Sequence, residues 1–175
     1  MRPTWIALAL TLALPATAQA DETAAAAFAT LSQLQGRWEG EFANGRKHSV
    51  EYRLSAGGSV LVETWTLAPG RESITIYHLD GDRLLATHYC PQGNQPRLQR
   101  VDDGDPKRLS FAFVDGGNLQ VADGWHQDSF WIDVQGEALY RRLEIYVPNF
   151  PAAAQESEEE SAPVTYRRLS TPTAD

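Results

Sequence analysis

From Arg37 onward, apolar and polar residues alternate along the chain. Trp38, Gly40 and Phe42 occupy every second position, as do Val50, Tyr52 and Leu54; then Leu61, Glu63, Trp65 and Leu67 alternate with Val60, Val62, Thr64 and Thr66. Alternation of this kind predicts strands with one face turned to a core. Asn44-Gly45, Gly57-Gly58 and Pro69-Gly70 read as turns between the runs. Further strands are predicted over 97–101, 108–114, 130–134, 139–147 and 164–169, separated by Asp103-Gly104, Asp115-Gly116-Gly117-Asn118, Asp123-Gly124 and Gln135-Gly136. With the central hairpin described next, about ten short strands result, with no helical crossover to make them parallel. The pattern predicts an all-β, closed antiparallel β-barrel.

The stretch from Ser73 to Arg97 is its centre. Two strand-forming runs flank Asp80-Gly81, a dipeptide suited to a tight hairpin turn. On the second run Leu84, Ala86, His88 and Cys90 share one face, and Leu85, Thr87 and Tyr89 the other. The first set is smaller and mostly apolar, which places His88 inside. A two-residue turn brings Thr75 and Tyr77 to that face, whereas a three-residue turn through Asp82 brings Ile74, Ile76 and His78. The residues alone leave both registers open.

Ahead of the strands, Phe28, Leu31 and Leu34 fall on one stripe of a short N-terminal helix expected over 23–34. Residues 1–20 have the form of a signal peptide: Arg2, an apolar run from Trp5 to Leu14, Pro15, and Ala18-Gln19-Ala20 before Asp21. The expectation is a periplasmic or secreted protein cleaved near Ala20, with residues 21–175 as one barrel domain. No later run approaches the roughly 20 apolar residues of a membrane-spanning helix. Export favours disulfides, but a single cysteine, Cys90, makes none internally, so stability has to come from a packed core. The net charge of −8 argues against nucleic acid as a partner. Residues 148–163, with four Glu among 156–160, read as an acidic exposed loop lacking the spacing of a calcium-binding loop.

Two resemblances add to this reading. Gly36-Arg37-Trp38 opens the first predicted strand and Tyr166-Arg167-Arg168 lies in the last. The arrangement resembles that of the calycins, lipocalin-like barrels in which an Arg of the final strand covers a Gly-x-Trp of the first; Gly36, Trp38 and Arg167 or Arg168 would close the wall. A guanidinium on an indole face contributes about 0.5–2 kcal/mol. The segments Tyr77-His78-Leu79-Asp80-Gly81-Asp82, Thr87-His88-Tyr89-Cys90 and Gly93-Asn94-Gln95-Pro96-Arg97 are similar to DUF1579-like bacterial proteins of unknown function. That resemblance implies a lipocalin-like barrel and no particular reaction.

A small barrel either packs its interior or keeps room for one ligand. Glu63 shares a face with Leu61, Trp65 and Leu67, and a buried carboxylate there requires a partner, for which His88 or Arg97 are the candidates. Glu63, Trp65, Tyr77, His88, Tyr89, Asn94, Gln95 and Arg97 therefore form the expected ligand-binding set, suited to a small apolar or amphipathic molecule bound without chemistry and without a cofactor. One alternative is a haem or metal binder using His88 supported by His78 or His126. The four His, at 48, 78, 88 and 126, show no zinc-motif spacing. Another is an acid/base enzyme using Glu63 and His88. Cys90 and His88, about 7 Å apart along one strand, are too far apart for a nucleophile and its base.

Overall fold

The computed structural model describes residues 18–105, 107–120, 124–150 and 162–170. All but the last three residues of the expected leader, and most of the acidic stretch 148–163, lie outside the described residues. A helix, α1 (Ala18–Ser32), precedes ten strands: β1 (Gly36–Glu41), β2 (Lys47–Ser55), β3 (Val60–Ala68), β4 (Arg71–Asp80), β5 (Arg83–Tyr89), β6 (Gln95–Val101), β7 (Leu109–Gly117), β8 (Trp125–Val134), β9 (Leu139–Pro148) and β10 (Val164–Arg168). Each strand pairs antiparallel with the next, and β1 pairs with β10, so the sheet closes into a barrel. Closure leaves none of these strands as an edge with unpaired backbone groups on one side.

The alternation sorts residues as the sequence predicts over most of the wall. Trp38, Val50, Tyr52, Leu61, Trp65, Tyr77, Leu84, Ala86, Leu98, Phe111, Phe130, Ile132, Tyr140 and Tyr166 are all buried. Asp80 pairs with Arg83, so the turn residues are Gly81-Asp82 rather than Asp80-Gly81. Gly81 takes φ +60° and Asp82 does not take a positive φ, the pattern of a type II′ turn. The register sets Thr75 opposite His88 and Tyr77 opposite Ala86, all on the inner face.

α1 lies across the end of the barrel at which β1 begins, and it packs against β4 and β5. Ala24, Ala27, Leu31 and Leu34, spaced for one stripe of the helix, are buried there, while Phe28 is only half-buried. Arg168 fastens this end. Its guanidinium donates to the Gln33 and Gln35 carbonyls just past the helix and to the Glu137 carbonyl of the β8–β9 turn. It also lies 4.2 Å over the Trp38 ring. The indole Nε1 of Trp38 donates to the Leu34 carbonyl at 2.7 Å, so one contact satisfies a carbonyl that the helix leaves free and a buried N–H. Arg168, not Arg167, is the covering residue; Arg167 is exposed on the other face of β10.

Gly36 is where Arg168 passes the chain. It has φ +119°, and a Cβ there would stand 2.8 Å from Arg168 Nη1. Gly36→Ala is expected to cost about 1–3 kcal/mol through strain and displacement of the guanidinium. Urea denaturation measures it, and an unchanged midpoint would show that the closure tolerates a side chain.

Candidate functional site

The barrel interior changes character along its length. Nearest the helix it is apolar, with Leu34, Leu61, Leu84, Leu98, Phe111 and Ile132; toward the other end it becomes polar. The pairing register places Tyr52, Glu63, Thr75 and His88 side by side across β2, β3, β4 and β5, in one inward-facing row. Glu63 is completely buried, and such a carboxylate needs charge and hydrogen bonds to hold it.

Both come mainly from β9. Arg142, also buried, reaches across the barrel and its Nη1 donates to Glu63 Oε2 at 2.7 Å. The Tyr77 hydroxyl donates to the same oxygen at 2.5 Å, and the Trp65 indole donates to Oε1. The guanidinium carbon of Arg142 sits 4.5 Å over the Phe130 ring and 5.2 Å over Trp65. Its Nη2 lies 2.6 Å from Glu144 Oε1, near enough for an ion pair but off the line of an N–H hydrogen bond, and its Nε has no partner among the described residues. Burial works against the Arg142 charge, but Glu63, Tyr77 and Glu144 outweigh it and hold the pKa well above the ordinary arginine value.

The network continues outward from Glu144. Gln127 Nε2 donates to Glu144 Oε1 at 3.0 Å and the Tyr146 hydroxyl to Oε2 at 3.3 Å. The Tyr146 ring meets His88 edge-on, centroids 6.4 Å apart. A bulge in β8 between Gln127 and Ser129 lets Gln127 face Tyr146 while Phe130 faces Glu144, so both enter the interior. Asn94, completely buried, donates to the Trp125 carbonyl at 2.8 Å and so joins the network two residues from Gln127. On the opposite wall, His48 Nε2 lies 2.9 Å from the Tyr166 hydroxyl, and the His48 ring stacks between Phe42 and Trp65.

Among the described residues, several buried polar atoms of this half lack a partner: His48 Nδ1, His88 Nε2, Asn94 Oδ1 and Gln127 Oε1. Buried groups of this type are ordinarily satisfied by protein, water or ligand. His88 makes its one hydrogen bond to Thr75 Oγ1, 3.0 Å from Nδ1. Burial, the largest influence, lowers its pKa to about 4; Glu63 opposes this and Arg142 adds to it. His48 is likewise lowered to about 4, by burial first and then by Arg46 and Arg142, against Glu39.

These depressed values set a pH dependence. Above about pH 6.5 the rings are neutral in the folded and unfolded chain alike, and the stability is fully present. As pH falls from about 6.5 to 4, the unfolded chain takes up protons that the folded one does not. Stability therefore drops, by on the order of 3 kcal/mol for His88 alone. Urea midpoints measured from about pH 7 down to pH 4 test this. A profile that stays flat, or that is as steep in His88→Gln as in the parent, would contradict it.

Not every expected residue joins the network. Glu63, Trp65, Tyr77, His88 and Asn94 do. Tyr89 does not: it lies on the outer face of β5 and is 46% exposed. Arg97 also faces outward, in a bidentate ion pair with Asp115 on the surface, and so is not the partner of Glu63. Gln95 is half-buried and turns back on the Gly93 carbonyl. Glu63 and His88 share a face but make no hydrogen bond, because Thr75 stands between them. His78 lies on the other face of β4 from Tyr77, and His126 packs on Phe113 with Nδ1 2.9 Å from Asn149 Oδ1, so neither is brought to His88. Among the described residues, His, Cys, Asp and Glu do not gather in threes as a metal site requires.

Arg142, Glu144, Gln127, Tyr146 and His48 lie outside the expected ligand-binding set, and Thr75 enters through the two-residue turn. The available signal was Tyr140, Arg142, Glu144 and Tyr146 at alternate positions of one strand, together with a carboxylate at 63 that needs a cation. A concavity of about 780 Å³ lies elsewhere, on the outer wall, where Arg108 and Arg141 approach the Trp131 ring beside Thr30. Arg108 there is already paired with Asp105, at 3.2 Å, and the unpartnered buried atoms place the candidate site inside the barrel instead.

No family model matches the chain, and no curated protein matches it. The DUF1579-like resemblance is thus not among the matches. Among solved structures, the chain is similar to a protein of unknown function from the DUF3598 family of Nostoc punctiforme, at 14% identity and a TM-score of 0.43. The match covers 79% of this chain and 49% of that one, so the chain spans about half the length of this neighbour.

Proposed function

We propose that the protein is an exported binding barrel that takes the polar group of a small amphipathic molecule into the half of its interior distal to the helix and does not transform it. The observation that carries this reading is the set of buried, unpartnered polar atoms beside the Glu63–Arg142–Glu144 chain. Fully buried Leu61, Leu84, Leu98 and Ile132 fill the helix-proximal half, which favours a short ligand over a long apolar one. Phe42, Trp65 and Tyr146 supply aromatic surface near the polar groups. Binding is favoured over catalysis because Glu63 is committed to three donors and has no direct hydrogen bond to His88.

Nile red titration of the leader-free chain, followed by displacement with a panel of short amphipathic compounds, tests the reading. Probe emission should rise on binding and fall on displacement, and Gln127→Met should lose the displacing compounds. The reading fails if neither probe nor compound binds and a crystal structure shows ordered water on each unpartnered atom.

A further inference from the structure

We infer that the group received at this site is a primary ammonium, held by Glu144, Gln127 Oε1 and Asn94 Oδ1 beside the Tyr146 ring. The inference rests on the binding reading above and names the chemistry of its ligand. It follows first from the direction of the amides. Gln127 spends its nitrogen on Glu144 and Asn94 spends its nitrogen on the Trp125 carbonyl, so the atom each leaves unpartnered is an oxygen, an acceptor. Both side chains are completely buried; Gln127 is hydrogen-bonded to Glu144, and Asn94 to the backbone carbonyl two residues before Gln127 on the same strand.

Charge points the same way. The interior network holds two carboxylates, Glu63 and Glu144, and one guanidinium, Arg142. The two histidines nearest it are neutral near pH 7 because burial depresses their pKa values to about 4. Among the described residues the network is therefore one positive charge short, on the side of Glu144, whose carboxylate has there an ion pair with Arg142 Nη2 and hydrogen bonds from Gln127 and Tyr146. The Arg142 donors without a hydrogen bond, Nε and Nη2, belong to a guanidinium laid against the faces of Phe130 and Trp65, and Nη2 is ion-paired with Glu144, so they do not turn the site into one for anions. A primary ammonium has three N–H donors for these acceptors, and the adjacent Tyr146 ring suits a cation. A calcium ion would require six to eight oxygen ligands, more than are present.

Calorimetric titration of the leader-free chain near neutral pH separates the outcomes. The ligands are butyl, hexyl and phenylethyl compounds, each carrying an ammonium, a trimethylammonium, a hydroxyl or a carboxylate, with calcium chloride as a further arm. The expected result is binding of the ammonium members, at least about tenfold tighter than their trimethylammonium and hydroxyl counterparts, and no binding of the carboxylates. Glu144→Gln and Gln127→Met should each weaken the ammonium by about tenfold or more, the second without altering a charge. Carboxylate or alcohol binding as strong as ammonium binding, and lost in Gln127→Met, would overturn the ammonium assignment while leaving a ligand site in place. Calcium binding in preference to every amine would also overturn it. If no member binds, the site itself is rejected, and the ammonium assignment with it.

Discussion

Replacing Arg142 with methionine is expected to lower folding stability by about 3–5 kcal/mol, enough to unfold much of a marginally stable domain. The loss comes from what stays behind. Glu63, completely buried, would keep two neutral donors, Trp65 and Tyr77, but no cation. Combining Arg142→Met with Glu63→Gln should restore most of the stability, since an uncharged pair of similar volume carries little desolvation cost. Urea denaturation of the two single variants and the double variant measures the coupling. Additive losses would show that the ion pair is not what the interior is built around.

Trp38→Ala is expected to cost about 3–5 kcal/mol. The side chain is wholly buried, meets Tyr140 edge-on with centroids 4.9 Å apart, lies under Arg168, and donates to the Leu34 carbonyl. Its removal opens a cavity, frees the carbonyl and leaves the guanidinium without its ring. Trp38→Phe should recover the packing but not the hydrogen bond, and so fall between the two. If Trp38→Ala unfolds at the same urea concentration as the parent, the seam contributes nothing to stability.

Most of the wall was legible in the sequence because a half-buried strand exposes its period directly: the inward positions of β1 to β3 are also the bulky ones, apart from Gly40, and on β5 the smaller, mostly apolar set turns inward. β9 hides its inward face for a physical reason. Its conventional apolar residues, Leu143, Ile145 and Val147, point away from the axis, and Ile145 is 43% exposed. Tyr140 and Arg142, by contrast, are turned into the core. Apolarity alone would invert that strand, whereas the need of Glu63 for a cation sets it right. Arg97 was the nearer arginine in sequence to the His88 hairpin, but one step of strand parity places it outside, opposite Asp115. Which cation meets Glu63 depends on wrapping the sheet into a cylinder, and a single strand carries no record of that.

The bond from Arg168 to the Gln35 carbonyl joins residues 133 apart in sequence. The cap, the first strand and the last are thus locked by a residue at the end of β10. During ribosomal synthesis the cylinder remains an unsealed curl until β10 emerges to pair with β1, and sealing it means closing a loop of more than a hundred residues. A stop codon placed just before β10 would leave nearly all of the wall translated and its seam with β1 unmade.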